Sequence, residues 1–299
     1  MTTAAVSTAP SVSVAENVSN RAIASAVLRR LGVSILVVVL ALVLLTLLWI
    51  VLLKAFSVSS FVGKTPGDVL GYLFDDGAVG RVRPKSITAV AARTDLVHAW
   101  VVTLGNAAIG FLGGMVAAVA IAASFTIVKP LEFAFMPIAM LLRSVPLVAM
   151  APVLILMFGQ GKVGIVVIVA IVVLFPVLVN VVLGLNSASP LALDLIRVNG
   201  GSDLKTLVMV RLPSALPALF ASIRIAVPGA IVGAMLAEWL TGFTGLGGVL
   251  NAYKGSGNFS GVWAIVVVSV TTSLVAYAVA SVLETAALAA WGPNAGKSS

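Results

Sequence analysis

The sequence has no cysteine and a single histidine in 299 residues. Without cysteine there is no disulfide framework and no thiolate metal site. One histidine all but removes histidine-built triads and zinc centres. Charge is scarce as well: 9% of residues are Asp, Glu, Lys or Arg, where a soluble domain carries about 25%. What fills the space is apolar. The apolar fraction is 61% and mean hydropathy is +1.18, against about 45–50% apolar residues in soluble domains. No water-soluble fold hides that much apolar surface, so a soluble enzyme, a DNA-binding domain and a disordered chain are excluded together. The chain reads as an all-α integral membrane protein, because its apolar runs are long enough for helices rather than barrel strands. A net charge of +8 and a pI near 10.2 would suggest nucleic acid in a soluble protein. In a membrane chain they reflect Lys and Arg beside anionic lipid, and no nucleic-acid partner is expected.

Six transmembrane helices are expected. Residues 1–33 read as a flexible N-terminal tail, rich in Ser, Thr, Ala and Val and ending in Arg21, Arg29 and Arg30. Residues 34–53 are twenty residues without a charge. At about −0.3 to −0.6 kcal/mol per central Leu, Ile or Val, this run inserts with several kcal/mol to spare. A signal peptide has an apolar region of only about 7–15 residues, so the run is expected to stay as a span. Residues 54–95 form a polar extracytoplasmic linker, within which Pro66–Phe74 reads as a short surface helix capped by Thr65. The core, 96–290, holds five further membrane segments, and 291–299 is a C-terminal tail. The segment 96–125 contains Gly110 and Gly114, a GxxxG spacing that either allows close helix approach or is chance in a chain of 27 glycines. The segment 131–158 contains Arg143, Pro137, Pro146 and Pro152 and is expected to bend, with an interfacial helix to about Arg143 and a span after Pro146. Then come 163–185 with Pro176, 216–240 with Arg224, Pro228 and Glu238, and 262–288 with Glu284 near its end.

Loop charge does not orient these spans. With the N-terminus inside, eight Lys and Arg fall on each side, and Arg143 and Arg224 lie in the membrane.

No catalytic constellation stands out. Gly292 to Ser298 looks like a phosphate-binding loop but has three residues between its glycines where the motif needs four, and the chain ends before a helix could follow. His98 lies alone at a span entrance, and the carboxylates are too scattered to pair. Intramembrane charges are functional candidates by default. Arg143 and Arg224 could face an anionic solute, pair with Glu238 or snorkel to the interface. Glu238 could latch onto the loop at 242–248.

The most informative stretch is the polar interruption 186–214. Ser189 can cap a helix with Pro190 in its first position, running through Leu191 to Val198. Asn199, Gly200 and Gly201 then break it, since glycine tolerates positive φ at the C′ position. Ser202 or Asp203 restarts a helix in which Leu204, Leu207, Val208 and Arg211 share one face. Leu212 and Pro213 are expected to stop it, with Ser214 capping the next span. Such a helix–glycine–helix knob either docks into a partner's groove or lies on lipid.

The series Asp194-Leu195-Ile196, three residues, Gly200, nine residues, Val210, one residue, Leu212-Pro213 resembles the EAA loop of binding-protein-dependent ABC importer permeases. There the spacing is Glu-Ala-Ala, three residues, Gly, nine residues, Ile, one residue, Leu-Pro. Arg143 through Gly159, Leu216-Pro217, Ile223-Arg224-Ile225, Ala237-Glu238 and Gly245-Leu246-Gly247 extend the likeness to the nitrate/sulfonate/taurine subfamily, over roughly residues 60–290. The resemblance implies a type I ABC importer permease fold with cytoplasmic coupling helices. It implies a translocation subunit with no catalytic residues and no cofactor or metal of its own, ATP and Mg being bound by a partner ATPase dimer. It implies a plasma-membrane protein with both termini cytoplasmic, a binding protein docking outside, and a homodimer as the simple expectation. Asp194, Arg197, Gly200, Gly201, Ser202, Leu204, Leu207, Leu212 and Pro213 then become the ATPase-coupling residues. Arg143, Pro146, Arg224, Pro228 and Glu238 become candidates for the pathway or its gate. The implied cargo is a small anion such as an alkanesulfonate, taurine or nitrate, with a thiamine-precursor pyrimidine or other small organic solute as the alternative. A stand-alone secondary transporter would need coupling-ion ligands and usually an internal repeat, and the sequence displays neither.

Overall fold

The computed structural model describes residues 12–76, 87–242 and 245–290. Every regular element among them is helical: α1 (Val12–Ala55), α2 (Pro66–Phe74), α3 (Ala89–Ile127), α4 (Lys129–Ser144), α5 (Leu147–Phe158), α6 (Lys162–Asn186), α7 (Pro190–Val198), α8 (Asp203–Thr206), a π-helical turn (Leu207–Arg211), α9 (Leu212–Thr241), α10 (Gly245–Gly255) and α11 (Phe259–Ala290). Five stretches are long and apolar enough to cross a bilayer, and α4 with α5 makes a bent pair that brings the number to six.

Several boundaries differ from expectation. The region expected as a flexible tail is helical from Val12 onward, continuous with the first span. Its alanines favour helix, and a helix already nucleated in the membrane extends at little cost. The first eleven residues and the C-terminal phosphate-loop look-alike lie outside the described residues. α3 begins at Ala89, so the linker is shorter than 54–95. Thr88 caps α3 by accepting from the Ala91 amide at 3.1 Å. The linker helix forms as expected: Thr65 accepts from the Asp68 amide while the Asp68 carboxylate accepts from the Thr65 amide, a capping box with Pro66 inside it.

The expected bend near Pro146 is a 107° turn between α4 and α5. Pro146 cannot donate a backbone hydrogen bond and forces Val145 into extended geometry (φ −71°, ψ 127°). α5 has twelve residues, about 18 Å at 1.5 Å per residue, and so falls short of a bilayer core of about 30 Å.

The centre of the protein is the bundle of α3, α6 and α9. Its buried face is built from small and β-branched residues, including Ala118, Ala122, Val169, Val173, Val177, Val181, Ala226 and Ala234. In lipid, helices associate through close packing rather than hydrophobic exclusion, which favours small residues at the crossing. The GxxxG spacing serves this: a Cβ on Gly110 would collide with Val169, and one on Gly114 with the Ala170 carbonyl. A second cluster joins α2, α10 and α11 through Val69, Tyr72, Leu246 and Ile265. α1 stands outside, touching α11 through Trp49, whose ring stacks on Trp263 at 4.8 Å.

Candidate coupling surface and membrane-embedded polar sites

The stretch after α6 folds as two short helices around a glycine break. Pro190 occupies the first position of α7 behind Ser189, whose side chain makes no capping bond. At the other end the Gly200 amide donates to the Arg197 carbonyl at 2.9 Å and the Gly201 amide to the Ile196 carbonyl at 2.9 Å. Gly200 sits at φ +73°. These two bonds form a Schellman motif, which satisfies the last carbonyls of α7 and turns the chain sharply. Ser202 then caps α8, accepting from the Lys205 amide at 3.3 Å.

Leu212-Pro213, expected to stop this helix, does not stop it. The helix passes through the π-turn Leu207–Arg211 into α9, so 203–241 is one continuous helical run. A wider turn loosens the hydrogen-bond ladder where Pro213 lacks its N–H, so the proline is absorbed instead of ending the helix. The π-turn also rotates the side chains. Leu207 is buried in the central bundle, while Leu204 and Val208 are exposed, so the face expected across 204–211 divides in two. In α7, Leu191, Leu195 and Val198 are exposed along one stripe, Val198 at 86%. Asp194 and Arg197 are exposed and pair loosely at 3.8 Å. Leu212 and Pro213 lie partly buried at the start of α9.

The base of this loop is clamped by side chains that sequence spacing did not reveal. Asn186, the last residue of α6, donates to Glu132 at 2.9 Å and accepts from Lys129 at 3.1 Å. Lys129 also pairs with Glu132 at 2.7 Å. Arg211 donates to the Leu185 carbonyl at 3.2 Å and to Asn186 at 3.3 Å, placing a cation at the negative end of α6. Lys129, Glu132 and Arg211 were visible as charges, but their meeting at Asn186 required the fold.

Glu238 is fully buried. It accepts from Thr103 at 2.7 Å, from Asn106 at 2.9 Å and from the Gly247 amide at 3.2 Å. Thr103 in turn accepts from the Leu246 amide at 2.8 Å. One carboxylate thereby ties α3, α9 and α10 together, and Gly247 belongs to the loop region where a latch was expected. The tight fit requires glycine, since a Cβ on Gly247 would strike the α9 backbone. Thr103 and Asn106 are the residues that sequence reading missed. Two polar residues three apart in an apolar span, on the face of Gly110, were the available signal.

Arg224 does not reach Glu238. It pairs with Glu284 of α11 at 2.9 Å and lies 5.9 Å from the Tyr277 ring. Pro228 is within α9, one turn beyond Arg224, and Pro146 caps α5 at the bend. Arg143 belongs to α4, but its side chain lies outside the described residues. The pathway candidates therefore occupy separate places: Glu238 at one end of α9, Arg224 midway along it, and Pro146 in the α4–α5 break. Among the described residues no cluster of three or more His, Asp or Glu has metal-site geometry.

Residues 110–287 match the family described as binding-protein-dependent transport system inner membrane component. The chain is 35% identical over 139 residues to a probable ABC transporter permease protein of Haemophilus influenzae, covering 46% of this chain and 55% of that one. It is 29% identical over 157 residues to the riboflavin transport system permease protein of Chloroflexus aurantiacus, covering 52% and 59%. It is 30% identical over 148 residues to a putative aliphatic sulfonates transport permease protein of Bacillus subtilis, covering 49% and 53%. The chain thus spans little more than half the length of these relatives. The family match takes in α6, both short helices, the π-turn, α9 and α10, so it includes the candidate coupling surface and Glu238 with its α10 partner. On that match over more than half its length, this helical, multi-pass chain belongs to the binding-protein-dependent transport system inner membrane components, the permeases of ABC importers.

Proposed function

We propose that this chain is the translocation subunit of an ATP-driven importer, moving a small solute from a binding protein into the cytoplasm by alternating access. ATP and Mg are bound by a separate ATPase dimer. This chain supplies the pathway, has no catalytic residues and holds no cofactor. Two copies enclose the pathway, and an extracytoplasmic binding protein delivers the cargo. The coupling segment lies in the cytoplasm, which puts both termini there and turns α2 and α10 outward.

The observation that supports this reading is the α7–α8 knob. Leu191, Leu195 and Val198 expose an apolar stripe at i, i+4 and i+7, the pattern of a helix that seats in a groove. A helix lying on lipid could show the same stripe. It would not need the rigid connection seen here: a Schellman turn, a capped α8 and an unbroken helix into α9. When ATP closes the ATPase dimer, a knob so mounted carries the displacement into α9. ATP thereby biases two packings of the bundle through contacts that differ between them.

The cargo is a small anion such as an alkanesulfonate, taurine or nitrate, a reading supported by similarity to the aliphatic sulfonates permease. The alternative is a thiamine-precursor pyrimidine, supported by similarity to a formylaminopyrimidine transport permease protein, or another small organic solute, supported by similarity to the riboflavin permease. The decisive test is purification of the chain with an ATPase subunit, in native form and with Leu195→Glu plus Val198→Glu. Native chain should retain the ATPase, and hydrolysis should respond to the binding protein. The double variant should stay folded and release the ATPase. Solute transport by the isolated chain without ATP would overturn the proposal.

A further inference from the structure

A recess of about 630 Å³ opens between α3 and the α5–α6 turn, lined by Val101, Val102, Asn106, Gln160, Lys162 and Ile165, with Gly105 and Gly161 at its edge. Asn106 is 3% exposed. Its Nδ2 is committed to Glu238 at 2.9 Å, which fixes the amide so that its Oδ1 is the free end. That oxygen takes no hydrogen bond among the described residues. Asn106 lines the recess, so this unpaired acceptor is open to water or to a polar solute there. Across the recess stands Lys162, exposed and without a carboxylate partner among the described residues. It is the first residue of α6, where Gly161 provides no side-chain cap. Its ammonium adds to the positive end of a 25-residue helix. Glu238 lines none of the recess and is fully buried behind Asn106.

We infer that this recess is a water-filled subsite on the solute's route that admits small anions bearing a hydrogen-bond donor, with Lys162 attracting the charge and Asn106 Oδ1 accepting the donor. The inference rests on the importer reading for its place in transport, and it narrows the cargo toward an amino- or hydroxyl-bearing anion. A donor-free anion meets only Lys162, and a neutral heterocycle only the amides.

The chain has no cysteine, so single thiols can be placed without further engineering. A Cβ at Gly105 or Gly161 meets nothing within 4 Å, which makes Gly105→Cys and Gly161→Cys compatible with the fold. The complex with its ATPase, in liposomes, is treated with impermeant methanethiosulfonates carrying a sulfonate or a trimethylammonium group. Rates are referred to those of a free thiol. The expected result is preference for the anionic reagent at both positions by about tenfold, lost with Lys162→Gln and reversed with Lys162→Glu. Modification should also be slowed by taurine more than by nitrate, and Asn106→Ala should abolish that difference. Thiols inert to both reagents would show a lipid-filled recess and overturn the inference. So would a reagent preference that ignores Lys162, or equal protection by the two anions. ATPase activity measured on the same samples separates the outcomes. Intact binding-protein stimulation with an unreactive recess removes only the subsite, and loss of the ATPase from native chain removes the importer reading.

Discussion

At the scale of single residues, the membrane makes each polar group conspicuous because water is absent to satisfy it. Glu238 is tolerated because three donors converge on it from two other helices. Glu238→Ala should strand those donors at about 1–3 kcal/mol each, lowering the melting temperature of the purified protein. Glu238→Gln keeps one acceptor but turns an amide donor against another, so its loss should be intermediate. Equal stability of the three proteins would show that the cluster contributes nothing. The Arg224–Glu284 pair joins α9 to α11 and is partly buried on both sides. Arg224→Ala and Glu284→Ala should each destabilise by about 1.5–3 kcal/mol. The double variant should cost less than their sum, because each single change leaves the other charge unpaired. Additive losses in the thermal denaturation cycle would argue against the pairing.

At the scale of elements, the α7–α8 segment proposed to couple to the ATPase depends on backbone geometry more than on side-chain contact. Gly200 adopts φ +73° with open space around it, so only conformational strain opposes a side chain there. Gly200→Ala should cost about 1–2 kcal/mol locally and let α7 swing relative to α8. The measured result should be ATP hydrolysis that persists while transport per ATP falls. An unchanged transport-to-hydrolysis ratio would show that the rigid turn is dispensable. Sequence alone placed this glycine break, the proline at the first position of α7 and the capped restart of α8, because these are local rules acting over a few residues. It misplaced the end of α8. Leu212-Pro213 looks like a stop in isolation, yet burial of Leu207 in the bundle and the widened π-turn carry the helix on.

At the scale of the whole molecule, α3, α6 and α9 hold together by backbone approach. Gly114 faces the Ala170 carbonyl, which cannot rotate away, whereas Gly113 has nothing within 4 Å. Gly114→Leu should therefore force the helices apart and reduce the folded yield in detergent, by at least the roughly 1–3 kcal/mol of core overpacking. Gly113→Leu should leave it nearly unchanged. Comparable size-exclusion profiles for the two variants would place the α3–α6 contact elsewhere. Two adjacent glycines thus differ by which face of one helix they occupy, and spacing alone could not separate a packing motif from coincidence.

The order of residues along the chain is enough to make this protein helical and membrane-embedded. It is also enough to place the spans, and to interrupt them at 186–214 with a helix–glycine–helix unit. Those features come from hydropathy over some twenty residues and from backbone rules at glycine and proline, both local. Which polar residues meet was settled only by the packing of the helices. Glu238 with Thr103 and Asn106, Arg224 with Glu284, and Asn186 with Lys129, Glu132 and Arg211 are separated along the chain by as many as 135 residues. Such pairings are set by helix rotation and crossing. In a bilayer these are fixed by packing of small residues, because lipid offers every apolar face nearly the same environment.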